Sequence, residues 1–309
     1  MNQKTIIVGT RKSQLAVTQT GQAVAALKER NPGFTFEIST ITTAGDRVPD
    51  RTALPTYQGI FVKELEEALM KNEIDLAVHS LKDMPCDITS GLELGAVSER
   101  VNPQDALLSR DHIKFNELKA GARIGTSSIR RRAQILFSRK DLQVAELRGN
   151  VDTRIRKLGS GEVDAIIIAA AGIKRLSLDH LISELLPLDI LLPAPCQGAL
   201  AIEVRANDAR VKAVVQTFNH LPTMMSIIAE RAFLRCLGGG CSLPVGALAS
   251  VKGQELVLRV QIVSPDGSKE VHRSVTGNAA QADQIGADLA RALLASEGPW
   301  LKTALKQGS

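Results

Sequence analysis

Aromatic side chains are scarce, at 3% of 309 residues, with one Trp and one Tyr. Proteins that hold single-stranded nucleic acid stack bases on exposed rings, so that class of partner is disfavoured. Long apolar runs are also missing. The stretch around Ala165–Ala171 is far shorter than the ~18 residues a membrane span requires, and no membrane partner is expected. Met1-Asn2-Gln3-Lys4 leads straight into a strand-like Thr5–Val8. That start leaves no room for a secretory leader and reads as cytoplasmic, or as a mature organellar chain. Cysteine is limited to Cys86, Cys196, Cys236 and Cys241, with no C-x-x-C pair and no H-x-x-x-H. These spacings do not make a zinc site, and no metal is expected. A disulfide framework does not suit a cytosolic chain of this length.

What remains is an ordinary globular composition: 44% hydrophobic, 23% charged, formal net charge +5. The length suggests two or three domains, and the mild basicity suits anionic partners. Thr5–Val8 and Thr35–Ile41 read as strands, and Ser13 as the cap of a helix running to about Arg30. Phe61–Lys71 reads as an amphipathic helix with Glu64, Glu66 and Glu67 on its wet side. Ile74–Val78 follows as a strand. The alternation argues for parallel α/β structure.

The pattern then repeats. Val8-Gly9-Thr10 before Ser13 resembles Ile124-Gly125-Thr126 before Ser127 and Ser128. Glu73-Ile74-Asp75 resembles Glu162-Val163-Asp164, each ahead of an apolar strand. The two offsets, 116 and 89 residues, differ, so the reading is two related domains with unequal insertions, the longer around Thr42–Gly59. Gly198–Val204 is a further strand. Pro222 precedes a helix, Met224–Leu237, which Gly238-Gly239-Gly240 breaks. Val245–Ser250, Glu255–Val263 and Lys269–Val275 read as antiparallel strands turning at Pro265-Asp266-Gly267, and Ala279–Ser296 as a closing helix. The expected domains are 1–98 with 197–218, then 99–196, then 221–309. Two α/β domains facing each other would form a cleft, with ligands at the carboxyl ends of the strands.

Those strand ends carry the chemistry. Gly9-Thr10-Arg11-Lys12-Ser13 and Gly125-Thr126-Ser127-Ser128-Ile129-Arg130-Arg131-Arg132 each offer N–H groups, hydroxyls and guanidinium at a helix start, a combination that suits anions. Capping by Ser13 and Ser127 accounts for the hydroxyls. It leaves the arginines unexplained, since cations in a first turn oppose the helix dipole. Arg148, Arg154 and Arg175 add to the set, while Arg139 and Arg156 are assigned to a solvated helix face. Guanidinium is the group of choice for holding carboxylates or phosphates bidentately. His79-Ser80-Leu81-Lys82-Asp83-Met84-Pro85 sets Lys82 and Asp83 at another strand end. Asp83 there serves either as a reacting carboxylate or as half of a Lys–Asp surface pair. His79 is read as a structural histidine. Gly238-Gly239-Gly240-Cys241-Ser242 leaves Cys241 flexible and accessible, with no base near it in sequence. Cys241 is therefore an attachment point or an incidental thiol in a tight turn.

Together these stretches resemble the porphobilinogen deaminase family along nearly the whole chain: GTRKSQLA at 9–16, FVKELE at 61–66, HSLKDMP at 79–85, GTSSIRRRAQ at 125–134, LRGNVDTR at 147–154, AAAGIKRL at 169–176, QGALAIE at 197–203 and GGCSLPVG at 239–246. The resemblance implies an α/β fold of two duplicated doubly wound, periplasmic-binding-protein-like domains plus a smaller C-terminal α+β domain with a three-stranded antiparallel sheet. It implies a monomeric transferase of tetrapyrrole biosynthesis. Such an enzyme joins four porphobilinogen molecules head to tail with loss of ammonia and releases hydroxymethylbilane. It further implies a dipyrromethane cofactor in thioether linkage to Cys241 and Asp83 as the catalytic carboxylate. The side chains holding acetate and propionate groups would be Arg11, Ser13, Lys82, Thr126, Ser127, Ser128, Arg130, Arg131, Arg148, Arg154 and Arg175. The sequence departs from the family pattern at Leu54–Ile60, which lacks a loop lysine, at Gly238, usually acidic, and at Cys196, usually Gly. Two other classes stand against this reading: a periplasmic-binding-like anion module without catalysis, and a polyanion binder using the arginines.

Overall fold

A computed structural model describes residues 4–43, 62–238 and 243–306. It divides into two compact units, Met1–Arg100 with Ala199–Met224, and Val101–Gly198 with Met225–Ser309.

The first unit is built on strand β1 (Thr5–Arg11), helix α1 (Gln14–Arg30), β2 (Thr35–Ile41), α2 (Lys63–Met70), β3 (Leu76–Ser80) and β4 (Leu92–Val97). Ser13 caps α1 as expected, its hydroxyl accepting the Ala16 N–H at 3.4 Å. β1 runs parallel to both β2 and β3. A late strand, β10 (Leu200–Arg205), inserts antiparallel between β3 and β4 and completes the order β2-β1-β3-β10-β4. Side-chain alternation sends Ile6, Val8, Leu76 and Val78 to one face, beneath α1 and α6 (Ala209–Gln216). Ala77 goes to the other face, where Leu65 and Leu69 of α2 cover it. Helices on both faces make this a doubly wound sheet. The α2 helix begins at Lys63, and Phe61 lies outside the described residues. Of its three glutamates only Glu67 is exposed; Glu64 and Glu66 are half-buried, which corrects the all-wet face.

The second unit opens with β5 (Asp105–Ser109), then β6 (Arg123–Gly125), α3 (Ile129–Ser138), β7 (Gln143–Ala145), α4 (Val151–Gly159), β8 (Ala165–Ala169), α5 (Ala170–Arg175) and β9 (Glu184–Leu185). Its order is β7-β6-β8-β5-β9, the same plan as the first sheet. In the first sheet the antiparallel inner strand comes last in sequence; in the second it comes first. The repeat is visible in the register. Gly9 pairs with Ala77, and Gly125 with Ile166. Asp75 Oδ2 accepts the Ile7 N–H at 2.9 Å, and Asp164 Oδ2 accepts the Arg123 N–H at 2.8 Å. A Cβ on Gly9 would collide with Ile74, and one on Gly125 would sit 2.7 Å from Leu147, so both halves require glycine there.

The second unit also holds the antiparallel sheet β11 (Val245–Lys252), β12 (Glu255–Val263) and β13 (Glu270–Asn278), with α7 (Leu221–Cys236) leading in and α8 (Ala282–Ser296) packed against it. Gly238, at φ +105°, stops α7. The β12–β13 turn uses Gly267 at φ +71°, where a Cβ would meet Leu136 and Phe137 of α3 at 2.7 Å. A further helix, α9 (Gly298–Lys306), follows the expected closing helix. No helix among the described residues is long and apolar enough to cross a membrane.

Candidate functional site

In the first unit, a small pocket of about 70 Å³ opens at the carboxyl ends of β1 and β3. Arg11 from the end of β1, Ser13 from the α1 cap, and Asp83 from the 3-10 turn Leu81–Asp83 line it together. Three residues assigned from two distant motifs thus meet in one place. Lys82 shares the turn and is half-buried. Gln19 and Ser80 form part of the wall and exchange hydrogen bonds at 2.9 and 3.1 Å.

His79, read from the sequence as a structural histidine, is buried and hydrogen-bonded as that reading expects, and it also lines the pocket. Its Nε2 lies 3.0 Å from Glu203 Oε2 on β10, and their side chains are 3% and 0% exposed. Behind them, on α2, burial raises the Glu66 carboxyl above the usual range; nearby Glu203 adds to this, while a hydrogen bond from Thr89 and the proximity of His79 oppose it.

The matching strand ends of the second unit are organised differently. Thr126 is buried, and its hydroxyl accepts the Ser128 N–H at 3.2 Å. The cap of α3 is Ser128, which accepts the Arg131 N–H at 3.4 Å; Ser127, expected as a cap, is exposed. Arg130 and Arg131 are buried on one carboxylate, Asp105, with N–O distances of 2.7 Å each. Arg130 also donates to the Leu192 carbonyl at 2.7 Å, and Arg131 to the Ile167 carbonyl at 3.0 Å. Burial alone would raise the Asp105 carboxyl, but the two guanidinium groups outweigh it and hold Asp105 far below the usual carboxylate range. The sequence reading did not single out Asp105. Its one signal is an acid opening the apolar run Ala106-Leu107-Leu108.

Arg148 is half-buried and pairs with Glu146 at 2.6 Å, and Arg154 Nε donates to the Gly149 carbonyl at 2.8 Å. Arg175 ends α5 and donates to the Gly198 carbonyl at 3.0 Å. Burial pushes its guanidinium down to about 10, and no carboxylate lies within ion-pair distance of it among the described residues. Arg139 is a correction. It is no solvated face residue but clamps Asp141 and the carbonyls of Phe115 and Leu118, while Arg156 is exposed as expected. Cys241 lies outside the described residues, as does most of the Thr42–Gly59 insertion. Of the other thiols, Cys196 is buried and Cys86 and Cys236 are partly so.

Residues 6–213 match the family model described as porphobilinogen deaminase, dipyromethane cofactor binding domain, and residues 224–295 match that of the porphobilinogen deaminase C-terminal domain. The porphobilinogen deaminase of Brevibacillus brevis is 48% identical over 290 residues, covering 93% of this chain and 93% of its own. That of Bacillus subtilis is 45% identical over 298 residues, covering 96% and 94%. A fainter likeness links the chain to a solved structure of a putative methionine-binding lipoprotein from Bacillus subtilis, with TM-score 0.44 and 16% identity over 71% of this chain and 92% of that one.

Proposed function

The chain belongs to the porphobilinogen deaminase family, and we propose that Asp83 is the carboxylate through which it performs that family's reaction. The enzyme is a transferase that condenses four porphobilinogen molecules head to tail, loses one ammonia per addition, and releases the linear tetrapyrrole hydroxymethylbilane with water. The observation that carries the assignment is the convergence of Asp83 with Arg11 and Ser13 on one pocket.

Each porphobilinogen brings two carboxylates, so a bound chain of pyrroles is a polyanion. The donors present fit such a group. Arg175 is half-buried with no carboxylate within ion-pair distance among the described residues, and Arg130, though paired with Asp105, has a buried Nε with no hydrogen-bond partner among them. Burying a guanidinium without an anion is costly, and an acetate or propionate side chain would offset that cost. Arg11, Ser13 and Lys82 in the first unit, and Thr126, Ser127, Ser128, Arg130, Arg131, Arg148, Arg154 and Arg175 in the second, make up the proposed carboxylate-holding set. The dipyrromethane group, when bound, supplies the primer to which substrate is joined, and its thioether to Cys241 is part of this proposal. Asp83, exposed at the pocket mouth, faces the substrate's aminomethyl carbon and stabilises the positive charge that develops as ammonia leaves. The same carboxylate is placed to take the ring proton displaced on joining. The three-domain division, the monomeric state and the cytoplasmic location go with this reading as further proposals.

The test is turnover by Asp83 variants, read as ammonia and tetrapyrrole produced from porphobilinogen. Asp83→Asn keeps the size and loses the charge, so turnover falls ~10²–10⁴-fold with cofactor still attached. Asp83→Glu keeps the charge, displaced by one methylene, and retains a small fraction. Turnover by Asp83→Asn within a few-fold of wild type would reduce Asp83 to a structural partner of Lys82.

A further inference from the structure

Gln134 lies on α3 one turn after Arg130, fully buried, and its Oε1 has no hydrogen-bond partner among the described residues. Its Nε2 donates to the Leu192 carbonyl at 3.3 Å, an oxygen that already accepts Arg130 Nη1 at 2.7 Å. Desolvating a primary amide and meeting only part of its capacity is unfavourable, and an apolar side chain of similar size would avoid that cost. The Leu192 peptide has a second close neighbour in Gly246, the second residue of β11. A Cβ on Gly246 would sit 2.7 Å from the Leu192 oxygen, 2.9 Å from Leu192 Cβ and 3.0 Å from Gln134 Nε2. Ala247, the next residue, donates its N–H to the Pro193 carbonyl at 3.0 Å. Leu192–Pro193 is therefore a strip of backbone held between α3 and the strand that follows Cys241 in sequence.

Arg130 spends Nη1 on Leu192 and Nη2 on Asp105 Oδ2, at 2.7 Å each, which leaves its buried Nε unpartnered. A guanidinium is planar, so two fixed acceptors set its plane and decide which edge stays free. Asp105 is fixed in turn by Arg131, whose Nε and Nη2 both reach Oδ1. The other fixed point is the Leu192 carbonyl. We propose that Gln134 and Gly246 are positioning residues for Arg130: they fix the Leu192 carbonyl and, through it, the guanidinium edge left for a ligand carboxylate. Gln134 does so with a second hydrogen bond to that oxygen. Gly246 does so by having no side chain, which lets β11 lie flush on the peptide. Arg130 and the backbone that leads away from Cys241 thereby share one reference point.

This inference rests on Arg130 belonging to the carboxylate-holding set, and the experiment separates the two. Full-length variants are compared by cofactor loading from intact mass, which requires no turnover, by melting temperature, and by KM and kcat of the loaded protein. Gln134→Leu removes the bond together with the unpartnered oxygen. Its melting temperature stays equal or rises, while loading falls or KM rises by roughly two- to tenfold, the worth of one neutral hydrogen bond, with kcat within twofold. Gly246→Ala pushes on a backbone oxygen that cannot yield without releasing Arg130, and its effect on loading or KM is the larger of the two. Gly277→Ala is the control. It lies on β13 of the same sheet, where a Cβ would press only on the Ile285 side chain, at 2.7 Å. It lowers the melting temperature and leaves loading and KM unchanged. In an Arg130→Leu background Gln134→Leu adds nothing further. A Gln134→Leu protein that melts several degrees lower yet loads and binds as wild type overturns the proposal, because Gln134 is then structural. So does a Gly277→Ala protein that matches Gly246→Ala in loading and KM. If Arg130→Leu impairs loading or binding while Gln134→Leu and Gly246→Ala do not, the positioning claim alone fails. If Arg130→Leu itself loads and binds as wild type, the place of Arg130 in the carboxylate-holding set is what fails.

Discussion

The two α/β units share one strand order, one glycine and one aspartate tie, yet they place their buried charge at different points. The first unit has the ionisable pair His79–Glu203 where the second has Ile168 and Leu108. The second buries Asp105 under Arg130 and Arg131, and there the first has Leu200 opposite Ser80. Where both halves agree, as at Asp75 and Asp164, the residue serves the fold. Where they differ, the shared fold does not dictate the residue type. In the first unit this leaves a polar pocket with an exposed carboxylate; in the second it leaves guanidinium groups fixed on a scaffold.

Removing the charge that organises the second unit should give the largest effect. Asp105→Asn leaves two buried guanidinium groups without their anion and costs ~3–5 kcal/mol in chemical denaturation. The pH dependence has a definite sign. Asp105 is held below its ordinary range, so its contribution is complete above that range and fades as pH falls toward its lowered value. The variant should therefore show a flatter acid limb of stability than wild type. An unchanged midpoint would mean that the Arg pair is not a scaffold.

Arg175→Leu comes next. The loss of a charge-assisted contact to a ligand carboxylate costs ~1.5–3 kcal/mol, or one to two decades in substrate affinity or in cofactor loading. Stability should stay equal or rise, because a half-buried guanidinium with no carboxylate partner among the described residues has been removed. Lost stability with intact binding would place Arg175 among the fold's own residues. The aspartate ties sharpen the comparison: Asp75→Asn and Asp164→Asn should each cost about 1 kcal/mol and match within a few tenths. The smallest effect is at Cys196, which sits at φ +67°. Cys196→Gly relieves that backbone and should stabilise by up to ~1 kcal/mol, less glycine's larger unfolded-state entropy. Thermal melts would register it as a small upward shift.

Much of this was legible in the sequence. Ser13 capping α1, the Thr35–Ile41 and Glu255–Val263 strands and the duplication offsets all follow from local patterns, and the structure returns them. Asp83 and Arg11 were legible as strand-end residues. Three things were not. The antiparallel inner strands come from distant sequence, so no local period reports that β10 completes the first sheet. Asp105 looks like an ordinary strand-opening acid until α3 folds over it. His79 reads as a core histidine because its partner Glu203 lies 124 residues away. Each is a long-range pairing, and long-range pairings leave little mark on neighbouring residues.

A pyrrole primer tethered at Cys241 is the core of the proposed function. Mass mapping of the native protein tests it most directly. The intact mass should exceed that of the sequence by two linked pyrrole units, with the excess on the peptide containing Cys241. An excess on a peptide of Cys86, Cys196 or Cys236, or no excess in protein that still turns over porphobilinogen, would contradict it.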